Sequence, residues 1–455
     1  MTFVCKNSIN IQSEPIMLLE FRIRNFRSIK DEQSLSLVAA PADKELAGTH
    51  LAPTGLKGLP HAVRSAVLYG PNASGKSTLL FALNYFRAMV AESATVVQPG
   101  QTYNVQPFRL DPATASQPTE FEASFLAGGI RHQYSFAMTA ERIVSEQLMV
   151  WRTAKPTQWF SRRLDDRGER YVYEFSAYLT GPRKLWQEST RPNALFLSTA
   201  AQLNSELLGP VARWLVQSLV YLPAGAFIDH AFTTALLESN QGRAAVRDFL
   251  ATADISIAEV SAVPRKGLRG QVMFQPGGVA QARQEEGEFL FPIFEHRTEH
   301  GSAKFELHEE SEGTQRLFSL AAPVLDVLKH GRVLVVDELD RSLHTLLVRR
   351  LVGMFHDPVL NPHGAQLVFS THDTSLLDHT LFRRDQVWFA EKDESQATRL
   401  YPLSDFSPRK HEAWERGYLM GRYGAVPMFR DLPDSAASVT APPAPAQVAG
   451  STVAA

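Results

Sequence analysis

Hydrophobic residues recur along this chain with three rhythms, and each rhythm predicts a different element. Period-two alternation runs through Leu18-Leu19-Glu20-Phe21-Arg22-Ile23-Arg24-Asn25-Phe26, so ordered structure is expected to begin as a strand at Met17. Residues 120–125 and 131–136 alternate likewise around Gly128-Gly129, a hairpin signal within the several short strands expected across 119–175. Short continuous apolar runs, Ala66-Val67-Leu68-Tyr69, Val333-Leu334-Val335-Val336 and Leu367-Val368-Phe369, read as strands buried on both faces. Helical spacing appears in Leu203, Leu207, Leu208, Val211, Trp214 and Leu215, which makes 193–252 mostly helical. It reappears in Leu317, Leu320, Ala321, Val324, Leu325 and Leu328, ahead of a stop at Gly331. Residues 289–308 return to strands.

These rhythms divide the chain into five stretches. Residues 1–16 read as an appended leader and 17–192 as a unit ending in a β lobe. Residues 193–288 read as a mostly helical insertion, and 289–433 as the return to the first unit. From 434 to 455 the chain is Ala, Pro, Ser, Val and Thr with almost no large apolar side chain, so it is expected to be disordered. No sustained heptads and no internal repeat are present.

The chemistry sits at the ends of the apolar runs. After the run at 66–69 comes Gly70-Pro71-Asn72-Ala73-Ser74-Gly75-Lys76-Ser77, followed by Thr78 and a helical pattern. This is a complete phosphate-binding loop in its strand-to-helix context, with free N–H groups for the phosphates of a nucleoside triphosphate. Lys76 is expected on the β- and γ-phosphates and the Ser77 hydroxyl on Mg²⁺. The run at 333–336 ends in Asp337-Glu338, at the edge of a buried strand where ligands gather. Asp337 is placed to hold the metal and Glu338 to polarise an attacking water. Ser311-Glu312-Gly313-Thr314-Gln315 opens the helix that precedes this strand, a second anion site built from a hydroxyl and the helix N-terminus. His372 ends the run at 367–369, where a polar ring is available to the same edge.

Composition narrows the setting. The chain has 455 residues, 44% of them hydrophobic and 21% charged, with a formal net charge of −2, so nothing global draws it to nucleic acid or an anionic membrane. The single cysteine, Cys5, makes no internal disulfide, which fits a reducing cytoplasm. No apolar stretch approaches the ~20 residues of a membrane span, and the first residues lack a signal core. His296, His300 and His308 have no ligand-spaced partners and are assigned to strand faces and turns. The base-specifying Asn-Lys-x-Asp of GTPases is absent, so ATP is the expected nucleotide.

The order of phosphate loop, helix-opening Ser311, acidic strand and His strand resembles the ABC-type ATPase heads of the RecF, SMC and OLD group. A closer likeness is to bacterial ATP-binding proteins of the RloA or AbiL type. It is carried by 19–29, by Glu310-Ser311-Glu312-Gly313-Thr314, and by the closing segments 384–389, 401–406 and 417–427. The resemblance implies an α/β P-loop head with a mixed sheet core, an antiparallel β lobe and an inserted helical subdomain. It implies a homodimer with two ATP molecules between the heads, in which Ser311, Gly313, Thr314 and Gln315 form the signature that closes on the facing subunit's γ-phosphate. Asp340 and Ser342 would cross the dimer seam, and His372 would act as the switch histidine. Arg27 would touch base or ribose, and Gln133, Gln147, Gln158 and Gln202 all stand in the right order for the glutamine that couples Mg²⁺ to the inserted lobe, with Gln202 the choice among them. Glu312 stands where the ABC signature has glycine.

By the same resemblance, the chain is the ATPase subunit of an abortive-infection or phage-defence system, acting with a separately encoded effector nuclease or toxin. The competing reading is a RecF- or SMC-type DNA-repair ATPase, with Arg162-Arg163, Arg265-Lys266 and Arg269 as candidate nucleic-acid contacts. An OLD-type nuclease is disfavoured, because the segment after His372 holds no Asp-x-Asp pair.

Overall fold

The computed structural model describes residues 16–225, 230–253, 257–274, 280–409 and 412–427. The expected leader up to residue 15, Cys5 and the tail 434–455 lie outside the described residues.

A six-stranded sheet forms the centre, in the order β11 (Leu219–Leu222), β15 (Val333–Val336), β16 (Gln366–Ser370), β5 (Ser65–Tyr69), β17 (Val387–Lys392) and β18 (Thr398–Pro402). All neighbours are parallel except β18, which returns antiparallel on β17. The apolar runs are continuous because both faces are covered. Ala66 and Leu68 point into one core, and Val67 and Tyr69 into the other. β15 divides in the same way, with Val333 and Val335 on the first side and Leu334 and Val336 on the second.

On the first side lies the helix Lys76–Glu92 that follows the phosphate loop, with helices Phe196–Gln202 and Leu208–Gln217 beside it. A seven-stranded antiparallel sheet covers this layer, in the order β10 (Tyr171–Phe175), β9 (Thr157–Leu164), β8 (Ile143–Trp151), β7 (Ile130–Met138), β6 (Thr119–Ala127), β1 (Met17–Arg24) and β2 (Gln33–Ser36). Aromatic rings knit sheet to helix: Phe86 stacks on Phe136 at 5.4 Å, and Tyr85 on Phe121 at 5.6 Å. Each ring fully withdrawn from water stabilises the layer by about 2–3 kcal/mol. A two-stranded sheet, β3 (Leu51–Leu56) with β4 (Leu59–Val63), packs at the margin. Helices Asn240–Ala251, Glu312–His330 and Thr345–His356 cover the second side of the central sheet.

The mostly helical reading of 193–288 requires correction in two places. Leu219–Leu222 is an edge strand of the central sheet, paired in parallel with Val333–Val336. From Glu259 the chain forms a long ribbon, β12 (Glu259–Phe274) on β13 (Ala280–Thr298), with β14 (Gly301–Glu306) added at its root. Pro264, Gly267 and Gly270 fall inside β12, and each disfavours a helix interior. The register sets Lys266 opposite Glu288, a pairing of unlike charges that favours the ladder. The 16 residues of β12 give a ribbon of about 50 Å. Its root rests on the helix Glu312–His330 through Phe294, whose ring meets Phe318 edge-on at 5.1 Å.

Candidate functional site

The phosphate loop leaves β5 at Tyr69 and is moulded by two glycines. Gly70 has φ 150°, and a Cβ there would stand 2.1 Å from the Ala390 carbonyl oxygen. Gly75 has φ 108°, and its Cβ would stand 2.1 Å from the Thr398 hydroxyl. Between them Ala73 holds φ 62°, Asn72 is exposed and Ser74 is buried. No side chain caps the helix that starts at Lys76, so its first N–H groups, including those of Ser77 and Thr78, are open to an anion. Lys76 is buried and turns back across the loop, its Nζ donating to the carbonyls of Gly70 at 2.7 Å and Pro71 at 3.1 Å. Burial lowers its pKa to about 8, against the pull of Asp337, Glu338 and Asp340. A cation held only by neutral carbonyls, in a cradle any Cβ would fill, fits a polyphosphate.

The acidic edge lies one strand away. β16 stands between β5 and β15, so loop and carboxylates open at the same carboxyl end of the sheet. Asp337 is buried and its Oδ1 accepts from Ser370 Oγ at 2.5 Å. The same hydroxyl accepts from the Glu338 N–H at 2.8 Å. Glu338 has φ 54°, an uncommon value for a non-glycine, and its carboxylate lies 3.4 Å from the Arg341 guanidinium. His372 follows at the end of β16, and its N–H donates to Asp340 Oδ2 at 3.2 Å. Desolvation and then the Lys76 ammonium hold its imidazole below the usual histidine range, while Asp340, Glu338 and Asp337 act in the opposite sense. The structure therefore places Lys76, Asp337, Glu338, Asp340 and His372 within one electrostatic neighbourhood.

Ser311 caps the helix Glu312–His330, accepting from the Thr314 N–H at 3.1 Å and meeting the Thr314 hydroxyl at 2.8 Å. Gly313 allows close approach to the acidic loop: a Cβ there would lie 3.0 Å from the Ser342 carbonyl oxygen. Ser342 is itself left-handed, with φ 58°. Gln315 turns away, donating to the Glu310 carbonyl at 2.7 Å. One turn in, Arg316 is buried and reaches the Glu338 carbonyl at 3.3 Å. Within one copy, the segment 311–315 thus touches the acidic loop at 338–342 and has no hydrogen bond to the phosphate loop among the described residues.

Arg27 lies against the loop helix, its guanidinium 3.9 Å from the Phe81 ring centroid. Its neighbour Ser28 comes within 3.3 Å of the Thr78 hydroxyl. Gln202 is the last residue of the short helix Phe196–Gln202. Ser198, in the same short helix, bonds to the carbonyl of Val90, about 20 Å along the loop helix from Lys76 at 1.5 Å per residue. Two proposed nucleic-acid contacts are otherwise engaged. Arg162 is fully buried, donating to the carbonyls of Ala194 and Arg191, and Arg265 pairs with Glu306. Ser370 and Thr398 were invisible as site residues in the sequence. Ser370 had one signal, its place at the carboxyl end of a buried run.

No curated protein sequence matches the chain. Among solved structures, an SMC head domain from Thermotoga maritima is similar at 12% identity and TM-score 0.37, covering 85% of this chain and 98% of that one. An SMC head bound to the C-terminal winged-helix domain of ScpA gives 12% identity and TM-score 0.38, with 86% and 99% covered. An SMC head with an extended coiled coil from Pyrococcus furiosus gives 11% and 0.36, with 86% and 98% covered. The family model described as "AAA domain, putative AbiEii toxin, Type IV TA system" matches residues 65–378, from the first residue of the phosphate-loop strand to beyond the His strand. The chain belongs to this AAA-domain family.

Proposed function

We propose that this chain binds and hydrolyses ATP with Mg²⁺, in composite sites shared by two copies, and uses that cycle to control a separately encoded effector in an abortive-infection system. The observation that carries the reading is the meeting of Lys76, Asp337, Glu338 and His372 at one edge of the central sheet. Lys76 neutralises the β- and γ-phosphates while the open N–H groups of the loop hold them in line. Ser77 and Asp337 would hold Mg²⁺, which supplies charge neutralisation at the β- and γ-oxygens. Ser370 fixes the Asp337 carboxylate and the Glu338 backbone together, so the metal ligand and the base share one anchor. Glu338 accepts a proton from the attacking water, and His372 hydrogen-bonds the γ-phosphate or that water.

Ser311, Gly313, Thr314 and Gln315 would close the pocket from the second copy, with Asp340 and Ser342 at the seam. Arg27 would meet base or ribose. The family description supports a toxin–antitoxin or abortive-infection setting; the finer kinship to RloA or AbiL rests on the closing segments 384–389, 401–406 and 417–427. No helix among the described residues is long and apolar enough to cross a membrane, in keeping with work in the cytoplasm. The test is Glu338→Gln. ATP binding by calorimetry should persist while phosphate release falls at least about 100-fold. Turnover at the native rate removes Glu338 from its role.

A further inference from the structure

Two lysines border the phosphate loop, and the second is Lys392. It is the last residue of β17, which runs parallel to β5, so it leaves the central sheet at the same edge as the loop. Its Nζ donates to Thr398 Oγ1 at 3.2 Å. The Thr398 hydroxyl gives its own proton to the Ser74 carbonyl at 2.9 Å and meets Ser28 Oγ at 2.9 Å. Through Ser28 the chain of contacts reaches Thr78, in the first turn of the loop helix. An ammonium has three N–H donors, and Thr398 occupies one of them.

Lys392 also has no ion pair among the described residues. The carboxylate that acts on it is Asp393, and Asp393 spends its oxygens on Ser395, Ala397 and Arg399. A half-buried cation with spare donors, buttressed against a phosphate loop, lacks an anion.

The sheet order decides which anion. Asp337 and Glu338 follow β15 on one side of β5, and Lys392 ends β17 on the other. Burial draws both ammonium groups down, and the carboxylates that oppose it are Asp337, Glu338 and Asp340 for Lys76 but Asp393 for Lys392. A triphosphate whose γ end lies at Asp337 therefore presents its α end toward β17. We infer that the Lys392 ammonium binds the α-phosphate of the nucleotide, as a second cationic ligand of the loop. This rests on the nucleotide site proposed above.

The test compares Lys392→Met, Lys392→Arg and Lys76→Met, titrated with Mg·ATP and Mg·ADP by calorimetry, with melting of the nucleotide-free proteins measured alongside. A lost charge-assisted hydrogen bond predicts about 10- to 100-fold weaker binding in Lys392→Met. The factor should be the same for ATP and ADP because both carry the α-phosphate. Melting without nucleotide should be unchanged, and Lys392→Arg should bind within about threefold of the native protein. Native affinity in Lys392→Met overturns the inference, as does a loss confined to ATP. It is also overturned if Lys392→Arg loses binding in full while both variants melt early, since the lysine then only props Thr398. A native protein that binds neither nucleotide sinks the ATP site itself; native binding unaltered by Lys392→Met sinks this inference alone.

Discussion

Lys76 shows at the level of one residue how burial tunes a site before any ligand arrives. Its folded pKa of about 8 lies below the ~10.4 of a free lysine. Between those values the unfolded chain holds the extra proton, so this group's contribution makes the nucleotide-free fold more stable as pH rises through that window. Binding runs the other way. Phosphates demand the charged ammonium, so above pH 8 each ATP bound should draw in a proton. Calorimetry in buffers of different ionisation enthalpy should report that uptake, with affinity about tenfold weaker at pH 9 than at pH 7. A proton count of zero at pH 9 would show that Lys76 stays charged in the empty loop.

At the level of elements, the β lobe is fastened to the helical layer by one buried network. Glu146 on β8 accepts from the N–H groups of Phe196 and Leu197, capping the helix Phe196–Gln202, and from the Tyr134 hydroxyl. Arg162 on β9 lies 3.7 Å from the same carboxylate. Burial pushes the Glu146 carboxyl up, opposed first by Arg162. Glu146→Gln should therefore destabilise the fold by about 3–5 kcal/mol in urea unfolding, because it leaves the guanidinium without its counter-charge. A loss below about 1 kcal/mol would mean that the carboxyl is already protonated in the fold. The sequence made some elements readable and hid others for physical reasons. The phosphate loop and acidic strand were legible because each packs its chemistry into a few consecutive residues beside an unbroken apolar run. Leu219–Leu222 was not: four apolar residues directly after a helix carry no period of their own. Thr398 and Lys392 were hidden because only the pairing of β17 with β5 and β18 brings them to Gly75.

For the whole molecule, the decisive matter is that the segment 311–315 contacts the acidic loop at 338–342 and, among the described residues, makes no hydrogen bond to its own phosphate loop. On the proposed reading, a second copy completes the pocket. Ser311→Arg, placed in a Glu338→Gln background to hold ATP, should leave nucleotide affinity within about threefold yet abolish ATP-dependent dimers in sedimentation. Dimers that persist would end the shared-pocket account. The ribbon adds a dimension that a bare head would lack. Its β13 strand meets the Ser311-bearing helix through Phe294 and Phe318, and His296 bonds Glu310 at 2.7 Å, one residue before Ser311. A shared root of this kind works as a lever. A tilt of about 10° there, over an arm of about 50 Å, carries the far end through roughly 9 Å, so a movement too small to notice beside the nucleotide becomes a displacement the size of a helix at the periphery.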